Sequence, residues 1–155
     1  FGVSAVEKRA LQAVAGLAGN GDTLMSVPAD CDPAFVSLQA LHHAPVVGCA
    51  GSFAANPWRS ELGYVRSPAF TKLRCDRVSY GRIATTDRAS AAFDTADVTQ
   101  LRERFGVRFV VVDRAALGRD DCTAAADALS TLSRYRSLGG DRDLEVLDLS
   151  SLRDG

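Results

Sequence analysis

Apolar positions along the chain fall into two kinds of spacing, and each spacing names its element. Ser4 and Glu7 form an S-x-x-E capping box, after which Leu11, Val14 and Leu17 recur at helical intervals until Gly19-Asn20-Gly21-Asp22 breaks the pattern. This predicts a first helix from about Ala5 to Ala18, with the Ser4 hydroxyl and Glu7 carboxylate each satisfying a backbone donor at its start. Thr23 to Val27 is a short apolar run between turn residues and reads as a buried strand. Asp32-Pro33 offers an N-cap followed by a proline at the first helical position, where a missing N–H costs nothing. Phe35, Leu38 and Leu41 make the inner stripe of that second helix, and Pro45-Val46-Val47 begins the next strand.

From Gly48 to about Asp94 the periodicity weakens. Trp58, Tyr64, Tyr80 and many arginines lie here; Asn56-Pro57 predicts a short helix through Tyr64, and Ser67-Pro68 another through Leu73. We read the segment as an excursion from the sheet, a kind of feature that in compact domains is usually functional or flexible. Regularity returns with Val98, Leu101 and Phe105 on one helical face, Gly106 as a left-handed stop, and Val107 to Val112 as the clearest strand. Asp120 or Asp121 caps a further helix whose stripe is Cys122, Ala125, Leu129 and Leu132. Tyr135 to Leu138, Gly139-Gly140 and Leu144 to Leu149 then read as two strands joined by a glycine turn, an antiparallel edge hairpin. The alternation of helices with strongly apolar strands predicts one α/β domain over residues 1–155, with a mostly parallel sheet covered by helices on both faces.

Composition narrows the classes. The 155 residues are 46% hydrophobic, enough for a core of their own, and 18 Lys+Arg against 19 Asp+Glu leave a net charge of -1. Nucleic acid is excluded as an expected partner, because neutralising phosphates needs a basic face. The longest strongly apolar stretch, Val107 to Val112, is interrupted by Arg108 and falls far short of the roughly 20 residues that span a bilayer. The chain begins at Phe1 without Met or a signal peptide, which we read as a processed protein or a piece of a longer one. Cys31, Cys49, Cys75 and Cys122 are even in number with no C-x-x-C pair, so two disulfides in an oxidising space outside the cytoplasm are expected rather than a zinc or redox site. Four small buried hydrophobes in a cytoplasmic domain are the other reading.

In an open parallel sheet, ligands sit beyond the carboxyl ends of the strands. That edge carries Asp30 and Cys31, Gly48 and Cys49, then Asp113 and Arg114, with Cys122 at the start of the next helix. Strands about 4.8 Å apart make Cys31 with Cys49 sterically reasonable, and Cys75 with Cys122 would pin the excursion to the sheet; the other two pairings stay open. A Cys31/His42 nucleophile pair is disfavoured because a helix about 15 Å long separates the two, and His42 and His43 are expected to cap helix carbonyls or pack under the loop. Asp30, Asp32, Asp120 and Asp121 suit capping better than a metal or acid/base cluster. No G-x-G-x-x-G, P-loop, G-x-S-x-G or H-E-x-x-H is present, and no catalytic residue, metal or cofactor is expected. Asn56, Trp58, Arg59, Tyr64 and Arg66 combine aromatic faces with planar polar groups, which suits sugar rings; Trp58 and Tyr64 can equally pack the excursion onto the sheet.

Three stretches together resemble a known family: Val27-Pro28; Leu38-Gln39-Ala40-Leu41-His42-His43-Ala44-Pro45-Val46-Val47-Gly48 with Gly51-Ser52; and Leu101 through Val112. They are similar to the carboxy-terminal extracytoplasmic domains of multi-pass membrane proteins related to polyprenyl-phosphate-sugar-dependent glycosyltransferases of the C superfamily. The likeness covers about Thr23 to Val112 and departs at Cys49, which stands in the loop after Gly48. It implies a membrane-spanning part upstream of Phe1 that holds the reacting groups. The soluble end then sits on the extracytoplasmic side of the cell membrane and helps hold a glycan or lipid-linked acceptor during cell-envelope polysaccharide assembly. The rival expectations are a self-contained secreted or periplasmic enzyme using the crevice around Asp30 and Asp113, and a structural domain that contacts a partner protein.

Overall fold

The computed structural model describes residues 3–29, 38–44, 46, 67–75, 92–118 and 122–153. Within them lie α1 (Ala5–Leu17), β1 (Thr23–Val27), α2 (Gln39–His42), α3 (Pro68–Lys72), α4 (Thr95–Phe105), β2 (Val107–Asp113), α5 (Arg114–Leu117), α6 (Thr123–Asp127), α7 (Leu129–Leu132), β3 (Tyr135–Gly140) and β4 (Leu144–Leu152). The sheet order is β1-β2-β4-β3. β1 runs parallel to β2, while β2 with β4 and β4 with β3 are antiparallel.

The sheet is therefore mixed, not mostly parallel. The terminal hairpin forms the antiparallel edge expected of it, with β4 beside β2 and β3 as the outer strand. A turn of only three residues, Asp141 to Asp143, joins β3 to β4, and so short a connection imposes antiparallel pairing. Of the strand expected at Pro45-Val46-Val47, Val46 is described; it makes an isolated parallel bridge to Leu24. Pro45, Val47, Phe35, the Asp32-Pro33 cap and the helix expected from Asn56 to Tyr64 lie outside the described residues.

Side chains from alternate strand positions feed two hydrophobic clusters, one on each face. Met25, Val27, Val110, Val112, Leu147 and Leu149 join Val98, Leu101 and Phe105 of α4 in the first, with α3 and α7 supplying Phe70 and Leu132. Leu24, Phe109, Val111, Leu144 and Val146 join Ala10, Leu11 and Val14 of α1 in the second. Helices thus cover both faces, as the apolar strands imply. One step breaks the alternation: Thr23 pairs with Val107 but Leu24 pairs with Phe109, so Arg108 is an extra residue in β2, a bulge. Val107 and Phe109 consequently enter opposite clusters despite being two positions apart.

The helix ends follow their caps. Ser4 and Glu7 close both bonds of the box at α1, and Asp94 with Asp97 does the same at α4. Gly106 ends α4 at φ 67, a left-handed conformation that glycine adopts without a steric penalty. Leu17 is 38% exposed and lies off the α1 stripe, which runs through Glu7, Ala10, Leu11 and Val14; a period of 3.6 carries it on to Ala18 instead. The helix expected after Asp120 divides at Ala128, whose N–H turns back to the carbonyl of Ala125, three residues earlier. Cys122 precedes α6, and α5, which the sequence pattern did not reveal, is a single turn capped by Asp113.

Two glycines give opposite expected outcomes. Gly140 sits at φ 129, and a Cβ there would run into the Leu144 carbonyl, so Gly140→Ala should destabilise the domain by about 2 kcal/mol or more. Gly16 lies in exposed helix with open space around it, so Gly16→Ala should stabilise by about 0.5–1 kcal/mol. Denaturant midpoints at constant slope measure both.

Candidate functional site

At the carboxyl ends of the parallel pair, Asp113 closes β2 and its Oδ1 accepts the Ala116 N–H at 3.1 Å, which makes it the N-cap of α5. Its neighbour Arg114 donates through Nη2 to Glu145 Oε1 at 2.9 Å, while Nη1 is a buried donor without a partner. Glu145 is also held by Ser137, whose Oγ donates to Oε2 at 2.8 Å. Among the described residues, this edge therefore holds a carboxylate occupied in capping and an arginine tied to Glu145. Asp30, Cys31 and Cys49, the other residues expected here, lie outside the described residues, as do Asn56, Trp58, Arg59, Tyr64 and Arg66 and the caps Asp32, Asp120 and Asp121.

Cys75 and Cys122 form a disulfide, the pairing the sequence set beside Cys31 with Cys49. Cys75 follows α3 and Cys122 precedes α6; both are fully buried in the first cluster. A second tie runs beside it: Lys72 Nζ donates to both carboxylate oxygens of Asp97 at 3.2 and 3.0 Å, and the two side chains are only 12% and 9% exposed. The segment Ser67 to Cys75 is thus fastened to the sheet's helical layer by a covalent bond and an ion pair.

The histidines do what the alternative to a nucleophile pair requires. His42 is fully buried and its Nδ1 accepts the Ala44 N–H at 3.1 Å. His43 follows α2 at φ 58, and its Nε2 lies 2.9 Å from the Ala40 carbonyl, so that nitrogen carries the proton and caps the helix.

Arg108 is the strongest electrostatic centre among the described residues, and the sequence shows it only as an interruption in an apolar run. Its Nε and Nη2 donate to Asp148 Oδ1 and Oδ2 at 3.2 and 3.1 Å. Nη1 reaches Asp22 Oδ2 at 3.1 Å and the Leu17 carbonyl at 2.9 Å, at the negative end of α1. The hydrogen bonds from Asp148 hold the guanidinium above its ordinary range, against the opposing effect of burial. Burial pushes the Asp148 carboxyl up, but the bonds from Arg108 and Ser150 outweigh it and leave the group below the usual carboxylate range. The signal for this clamp was a charged residue at a buried strand position twice over, Arg108 in VRFVVV and Asp148 in LEVLDL.

Beside the clamp, Ala15, Ala18, Gly19, Asn20, Gly21, Asp22, His43 and Ala44 line an open cleft of about 430 Å³. It lies at the amino end of β1, opposite the edge where a ligand was expected. Among the described residues, no group of three His, Cys, Asp or Glu side chains is placed to hold a metal ion, and no helix is long and apolar enough to cross a membrane. No family model matches the chain, and no curated protein or solved structure matches it.

Two outcomes follow from these ties. The disulfide closes a loop with a sequence separation of 47, for which chain entropy gives about 4 kcal/mol, so Cys75→Ser with Cys122→Ser should lose about 2–4 kcal/mol in urea unfolding. Asp148, with its folded pKa depressed, stabilises the fold above the unfolded carboxylate pKa of about 3.9 and loses that contribution as pH falls through the lower folded value. Arg108, with its folded pKa raised, keeps its contribution throughout this range. Asp148→Asn should therefore cost about 2–3 kcal/mol at pH 7 and flatten the acid limb of the stability curve below about pH 4.

Proposed function

We propose that this chain is the extracytoplasmic domain of a multi-pass membrane protein of the kind that uses polyprenyl-phosphate sugars, and that it assists recognition of an acceptor or glycan without performing the chemistry. The observation that carries the reading is the buried Cys75–Cys122 disulfide, which fits an oxidising space outside the cytoplasm. The resemblance of Val27-Pro28, the segment Leu38 to Gly48 and the stretch Leu101 to Val112 supplies the membrane glycosyltransferase context. The tied segment Ser67 to Cys75 supports a recognition role, because it fastens the chain directly after Asn56, Trp58, Arg59, Tyr64 and Arg66.

Calorimetric titration of the chain with soluble fragments of cell-envelope polysaccharide tests the proposal. Saturable binding is expected, weakened about tenfold by Trp58→Ala through the lost ring stacking. Turnover of a small substrate by this chain alone, or fragment binding untouched by Trp58→Ala and Tyr64→Ala together, contradicts it.

A further inference from the structure

We infer that the cleft between the α1–β1 turn and the end of α2 binds a neutral sugar ring. The inference rests on the glycan-recognition reading for its ligand class, but it places a subsite on residues other than those of the excursion, at the amino end of the parallel strands. At about 430 Å³ the space falls within the range of about 300–1,000 Å³ that small-molecule sites occupy. Its chemistry decides among ligands. Asp22 Oδ2 is taken by the Gly19 N–H at 2.7 Å and by Arg108 at 3.1 Å, whereas its Oδ1 has no partner. His43 gives Nε2–H to the Ala40 carbonyl, which leaves Nδ1 as the other polar atom of the ring. The Asn20 amide is exposed and makes no intramolecular hydrogen bond, so it adds both a donor and an acceptor.

An anionic ligand would meet the Asp22 carboxylate at close range. A divalent cation would find one carboxylate already neutralised by Arg108 and too few further ligands among the described residues. Hydroxyl groups suit the site better, because each donates to an acceptor that is otherwise solvated, and an amide can bridge two neighbouring oxygens. Ala15, Ala18, Gly19, Gly21 and Ala44 complete the lining with small side chains, leaving room for the C–H face of a ring to approach the backbone.

Amide-resolved NMR titration of the full chain with neutral methyl hexosides and methyl pentosides tests the assignment. At least one glycoside should shift the amides of residues 19–22, 43 and 44, and Asn20→Ala with His43→Gly should weaken that binding about tenfold or more. Glycine suits the positive φ of His43, and Asn20 is exposed, so the pair should keep the wild-type unfolding midpoint. The same titration with a uronic acid should give weaker shifts, and calcium and zinc ions alone should give none. Shifts confined to residues 53–66 would overturn the cleft and leave the excursion reading standing. Shifts at the cleft alone would support the cleft and count against the excursion. No shift at any amide would overturn both, as tight zinc binding at Asp22 and His43 would overturn the sugar assignment.

Discussion

Strand β2 must be buried from both sides at once, and the rest of the domain is arranged to permit it. Its side chains enter both hydrophobic clusters, and Phe109, Val110, Val111 and Val112 are fully inaccessible. Each such side chain contributes about 1.5–3 kcal/mol only if a layer covers it, so neither α1 nor α4 is optional. Arg108 resolves the conflict this creates. As the extra residue of a bulge it leaves the apolar ladder, and its guanidinium collects Asp148 from β4, Asp22 from the turn and the last carbonyl of α1. The bulge that interrupts the strand thus fixes the position of the helix over it.

The elements legible in the sequence were those with a local cause. The Ser4–Glu7 box, Gly106 and the Pro68 helix appear where their chemistry demands, because caps act over three or four residues. The apolar runs of β1, β2 and the hairpin were equally plain. Sheet order was not, since the insertion of β4 beside β2 depends on which surface is left open once α1 has packed, and no spacing encodes that. Leu17 was misplaced because one step of three residues, Leu11 to Val14, was followed by another, where the helix needs a step of four.

The site was less legible than the fold for a physical reason. The proposed sugar site rests on scattered single groups, Asp22 Oδ1, Asn20 and His43, with no fixed spacing of the kind metal or phosphate sites impose. The disulfide was foreseeable as one of three pairings; what selects it is the packing of α3 and α6 in the same cluster. Asp113, read as a crevice carboxylate, spends its Oδ1 on the Ala116 N–H, and the neighbouring Arg114 is tied to Glu145.

The proposed recognition role presumes a place outside the cytoplasm, where the buried Cys75–Cys122 bond would persist. Thiol trapping in the native cell reads this most directly, with acid quenching, alkylation and mass analysis of the recovered protein. The account predicts Cys75 and Cys122 joined in one cross-linked peptide and unmodified until reductant is added; two freely alkylated thiols at these positions would contradict it.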